Sequence, residues 1–145
     1  MTTVTAGATP DFNIASPVHT DDDVLRRVDL LIDESARQLR SMLLLFLDAD
    51  GVQLPVAVPI DDVPERPDPL IVRNLCWIIA EALTLYPGGS AVVVVTRPDS
   101  GPVGDADRCW ASNLDRFARE HGAPIRMLCL ATPSGVLRLA PNGAG

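Results

Sequence analysis

Residues 91–107 read AVVVVTRPDSGPVGDAD, and how this stretch is parsed decides the fold. Val92 to Val95 are consecutive β-branched residues, which favour an extended, pleated backbone. At Thr96 the run gives way to a loop rich in Pro, Gly and Asp. Near Asp105 the pattern changes again, to apolar residues at helical spacing. Strand, polar loop, helix start is a junction where α/β proteins often place their chemistry, because unpaired amides converge there. The same stretch is therefore the first candidate site.

After the loop, Ala106, Trp110, Leu114, Phe117 and Ala118 predict the core face of a helix over 105–121, with Gly122 as its stop. IRMLCLA (125–131), TPSG and VLRLA (136–140) then read as a closing hairpin. Before the loop, PLIVRNLCWIIAEALTLY (69–86) predicts a helix with Pro69 in its first turn and Pro87-Gly88-Gly89 beyond its end. Its expected core stripe is Ile71, Leu75, Ile78, Ile79, Ala82 and Leu83. Arg73, Trp77, Glu81 and Thr84 form the opposite stripe, a candidate interaction surface. Trp77 on that stripe either half-buries against the N-terminal helix, the favoured reading, or stays exposed as an anchor for a partner.

Further upstream, MLLLFLD (42–48) is continuously apolar, as in a strand covered on both faces. After a turn at Asp48 to Gly51, VQLPVAVPI (52–60) alternates. Pro55 and Pro59 share a parity, so both missing N–H groups point to one edge, and the strand belongs at the sheet margin. IDDVPERPDP (60–69) is a polar connection. Thr20 followed by Asp21 to Asp23 marks a helix start, and Leu25, Val28, Leu31, Ile32, Ala36 and Leu39 extend that helix across 21–40. This helix must dock on the domain or on another protein. Asp29 and Asp33, one turn apart, read as surface charge.

The expected organisation is a tail over 1–19 and one α/β domain over 20–140, with a mixed sheet flanked by helices. Within it, 20–41 is the N-terminal helix and 42–140 the core; a short tail covers 141–145. At 145 residues with 47% hydrophobic and 21% charged content, a single globular domain fits. Nineteen carboxylates against twelve basic residues give a net charge of −7. No basic cluster is present, so nucleic acid is not an expected partner. Every basic residue is Arg, which fits coding in a GC-rich genome and excludes a Walker lysine or a Schiff base. Cys76, Cys109 and Cys129 form no CxxC pair and fit buried, reduced thiols. No signal peptide or membrane-spanning run is legible, and the expected location is cytoplasmic.

The segment VVVVTRPDSGPVGDADRCWASNLDRFAREHGAPIRMLCLATPSGVLRLA resembles the C-terminal half of RadC-like proteins, members of the JAB/MPN metalloprotease-like fold. In that family an apolar strand leads into a loop HNHPSGDPTPSEAD, then a helix and a closing pair of strands. FLDADGVQLPVAVPI and the helix after it fit the elements preceding the loop, so the resemblance spans 42–140. It implies a zinc site built from two histidines and an aspartate, an upstream glutamate that activates water, and an assisting serine. Here Val95 and Arg97 stand at the histidine positions, Gly104 at the serine position and Asp107 at the aspartate position. The loop is one residue shorter, and the only histidines, His19 and His121, lie far away in sequence.

Catalytic zinc needs three protein ligands and an open position. Val95 has no ligand atom and Arg97 is cationic, so no metal site, no cofactor and no catalytic residue is expected. The guanidinium of Arg97 is instead expected to fill the vacated cation site and pair with Asp107. The leading expectation is a non-catalytic interaction or scaffolding module, binding another protein or itself through the N-terminal helix or the surface of Arg73, Trp77, Glu81 and Arg97. The alternative is a metal-dependent, isopeptidase-like hydrolase with a rearranged site, in which Asp61, Asp62 or Glu65 serves as base near Asp107. Asp99, Asp105 and Asp107 could otherwise hold a hard cation weakly, although loop turning and helix capping by Asp105 and Asp107 is the more ordinary reading. Anion binding by SGPVG is disfavoured by those same three carboxylates.

Overall fold

A computed structural model describes residues 16–140; the expected tails at 1–15 and 141–145 lie outside that range. The valine run is the strand β3 (Ser90–Thr96), at the centre of a five-stranded sheet. Around it stand β1 (Ser41–Leu47), β2 (Gln53–Ile60), β4 (Ile125–Thr132) and β5 (Gly135–Arg138). The order across the sheet is β2-β1-β3-β4-β5. Only β3 and β4 run parallel, and the other neighbouring pairs are antiparallel. A parallel pair needs a crossover, which helix α3 (Asp105–His121) supplies.

Alternate residues of β3 serve opposite faces. Ala91, Val93 and Val95 join the larger core with Leu44, Phe46 and Leu130, under α2 (Pro69–Ala82) and α3. Val92 and Val94 join a second core with Leu45, Leu47 and Cys129, under α1 (Asp21–Leu31). A strand with apolar side chains on both faces is stable only when both are covered, so the sheet is sandwiched. The expected α/β domain with a mixed sheet is the observed one. As its prolines require, β2 is an edge strand, and Pro55 and Pro59 are exposed.

Several expectations need correction. Residues 16–19 are not a loose tail: Val18 is buried and its N–H donates to the Gly51 carbonyl. The N-terminal helix stops at Leu31 rather than running to 40 or 41. Asp33 ends it by competing for main-chain donors, accepting from the Ala36 N–H and the Ser35 hydroxyl. Arg37 then folds back, donating through Nε to the Ile32 carbonyl and through its terminal nitrogens to the Asp29 and Thr132 carbonyls. Ala36 and Arg37 therefore sit in a short 3₁₀ turn, and Leu39 is exposed.

Helix α2 ends at Ala82 rather than at residue 86. The Thr84 hydroxyl donates to the Glu81 carbonyl, and tight turns carry the chain to Gly89. Its buried face is Val72, Leu75, Cys76, Ile79 and Leu83, with Ala82 exposed and Ile71 and Ile78 half-buried. That face is rotated from the expected stripe, because apolar residues occupy nearly every position and leave the phase open.

Candidate functional site

Arg97 follows the last residue of β3, so it keeps the parity of Val93 and Val95 and points to the α3 side of the sheet. Its side chain is 4% exposed. Across the loop, Asp107 occupies the first turn of α3, where a carboxylate meets the positive end of the helix dipole. The two side chains form a forked pair, Nε to Oδ1 at 3.3 Å and a terminal nitrogen to Oδ2 at 3.1 Å. Oδ2 also accepts the Gly104 N–H at 2.9 Å, which caps the helix. The remaining guanidinium protons reach the Asp99 carbonyl and carboxylate at 2.6 and 2.7 Å and the Gly101 and Pro102 carbonyls at 2.9 and 3.0 Å.

The loop is thus wrapped around one side chain. A guanidinium carries five donors in a rigid fork and a carboxylate about four acceptor sites. Every nitrogen of Arg97 is engaged, and both oxygens of Asp107 are. As built, the junction is a clasp that sets the angle between β3 and α3. Asp105, expected to share the capping, is exposed and pairs with Arg108 instead. A cation held by Asp99, Asp105 and Asp107 would have to displace the guanidinium from two of them. Among the described residues, no three His, Cys, Asp or Glu side chains gather as metal ligands.

Beside the clasp lies a polar cleft of about 230 Å³, walled by Arg40, Glu65, Arg66 and Asp105 as well as by the pair. Of the three carboxylates considered as a base near Asp107, Glu65 lines this cleft. Asp61 and Asp62 line a separate one with Leu39 and Ser41. What holds this wall is a contact between residues far apart in the chain. The indole N–H of Trp110 donates to the Glu65 carbonyl at 2.9 Å and to that of Pro64 at 3.3 Å, pinning the β2–α2 connection to α3. Thr96 was also missed. Buried at the end of β3, its hydroxyl donates to the Leu39 carbonyl and accepts the Ser41 N–H. A polar residue closing an apolar run was the available signal for it.

The second candidate surface is the outward row of α2. Arg73, Trp77 and Glu81 are all exposed, and Trp77 is 62% so. The half-burial favoured for Trp77 against the N-terminal helix does not occur, because α1 packs on the opposite face of the sheet, over β4 and β5. Arg97, grouped with this surface from sequence, belongs to the buried clasp. Helix α1 is docked on its own domain through Val24, Arg27 and Val28.

Fold and site together define a three-layer α/β domain with an arginine-filled strand–loop–helix junction. Compared with known protein families, with curated proteins and with solved structures, the chain matches none. No helix among the described residues is long and apolar enough to cross a membrane.

Proposed function

We propose that this chain is a non-catalytic interaction module, a JAB/MPN-like domain that binds other protein through the outer row of α2. The carrying observation is Trp77, a large amphipathic side chain 62% exposed between Arg73 and Glu81. Tryptophan and arginine are among the residue types that dominate interface energetics, and an indole 62% exposed leaves most of its surface uncovered by its own domain. The clasp supports the same reading. At the position where the resembled family binds zinc, a guanidinium already supplies the positive charge and consumes the acceptors of Asp107. Free thiols at Cys76, Cys109 and Cys129 support a reducing compartment such as the cytoplasm, and the acidic balance argues against nucleic acid as partner.

Immobilised wild-type protein and a Trp77→Glu variant, matched in circular dichroism, test the reading. A defined protein should be retained by the wild type and lost from the variant. Equal recovery on both would refute α2 as the binding face.

A further inference from the structure

We infer that the outer row of α2 docks on a second copy of this chain, as an antiparallel pair centred on Trp77. The inference rests on the proposed role of α2 as the binding face and names its occupant. Arg73, Trp77 and Glu81 are spaced i, i+4, i+8, so they form one continuous ridge of the helix surface. All three are exposed, and among the described residues neither Arg73 nor Glu81 makes an ion pair. The charges stand symmetrically about the indole, positive one turn before it and negative one turn after.

That symmetry points to self-recognition. A two-fold axis through Trp77 reverses the second helix, so Arg73 of each copy comes beside Glu81 of the other and the two indoles meet at the axis. A two-fold interface uses one patch twice and must be self-complementary; this row is. Packing of i±4 ridges, the commonest helix contact, crosses the axes at about −50° and lays the two rows side by side. A parallel arrangement would set Arg73 against Arg73 and Glu81 against Glu81. Leu70, 58% exposed and two turns before Trp77, extends the contact towards the partner helix's end.

A contact between two helices of this length falls at or below the ~1,200 Å² that marks weak, transient pairs. Its dissociation constant should be on the order of 0.1 mM. Each copy carries −7, so measurement at roughly 0.15 M salt, where the Debye length is about 8 Å, leaves the local pairs and screens the rest.

Sedimentation of the full chain from micromolar to about 1 mM should show the 15.5 kDa species converting towards twice that mass. Trp77→Glu should remain monomeric throughout. Arg73→Glu and Glu81→Arg should each weaken self-association at least tenfold. Mixed together, those two variants should form a heterodimer, because both cross-pairs are then opposite in sign. A wild type monomeric over the whole range overturns the inference, as does a dimer indifferent to Trp77→Glu. A Trp77-dependent dimer that neither single charge variant weakens overturns the antiparallel register, and one that the charge-swapped mixture fails to restore overturns the charge pairing. If the wild type is monomeric yet still retains another protein through Trp77, α2 as a binding face survives and only its occupant was misread.

Discussion

Replacing Arg97 with alanine tests the claim that this side chain organises the strand–loop–helix junction. The substitution would leave Asp107, whose side chain is 7% exposed, with the Gly104 N–H as its remaining hydrogen bond. Removing one partner of a buried ion pair costs about 3–5 kcal/mol, because the other charge stays buried without compensation. The Asp99, Gly101 and Pro102 carbonyls lie in an exposed loop, so water can replace the lost donors there and they add little. Against a typical stability of about 5–15 kcal/mol, the expected loss is a large fraction of the total. At about 2–4 °C per kcal/mol for a chain near this size, the melting temperature should fall by about 6–20 °C. Urea unfolding in a Trp77→Phe background isolates the emission of Trp110, which is buried and hydrogen-bonded beside the clasp. The double variant Arg97→Met/Asp107→Leu removes both charges and should recover most of the loss, since well-packed apolar replacements of buried pairs are often neutral. A loss below about 1 kcal/mol for Arg97→Ala, the range of solvated surface pairs, would refute the clasp.

Three further outcomes follow from other parts of the structure. Arg37→Ala should release the C-terminal turn of α1, seen as faster hydrogen exchange at Val28 to Ile32 with the β3 amides unchanged; uniform protection would refute the capping role of Arg37. Burial pushes the thiols of Cys76 and Cys129 up to about 11 and about 12 and shields both from reagent, so Cys109, half-buried, should be the one thiol that an aromatic disulfide modifies in the native protein. Rapid modification of all three without denaturant would contradict that burial. Hydrogen bonds from the His19 and Thr20 amides, then from Arg26, hold the Asp23 carboxyl well below its usual 3.8. Its stabilisation is therefore present above pH ~3.8 and lost as the pH falls through the lowered value; Asp23→Asn should flatten the acid limb of a melting-temperature profile, and an unchanged limb would count against the capping box.

What could be read from the sequence follows from how local each determinant is. The valine run, the parity of Pro55 and Pro59, and the span of α3 each depend on neighbours within a few residues, and each was legible. The end of α1 was not. It is set by Arg37 reaching the carbonyls of Ile32 and Asp29 on the helix and of Thr132 on β4, a combination of local competition and long-range docking that periodicity does not report. The phase of α2 failed for a different reason. A helix apolar nearly all round has no unique stripe, and packing against α3 selects one. The exposure of Trp77 depended on which sheet face α1 would cover, a matter of topology. The Arg97–Asp107 pair was legible as a contact through the resemblance, which sets a cation at the position of Arg97 and a carboxylate at that of Asp107, ten positions on.

The exclusive use of arginine also carries more than a coding bias. Arg27, Arg37 and Arg97 are buried, and each donates to at least one main-chain carbonyl of an irregular segment or helix end. Arg27 holds the Ser16 carbonyl and the Gln53 side chain, Arg37 closes α1, and Arg97 gathers the loop between β3 and α3. Lysine could not replace them, since three donors on one nitrogen cannot span carbonyls spread across a loop, whereas five donors in a planar fork can. The domain thus fastens its irregular segments with buried cations whose charge is balanced locally, at Arg97 by Asp107 and Asp99 and at Arg37 by Asp29. Seen this way, the cation at the β3–α3 junction belongs to the same structural device as the other two, each buried and fastening an irregular segment to its neighbours.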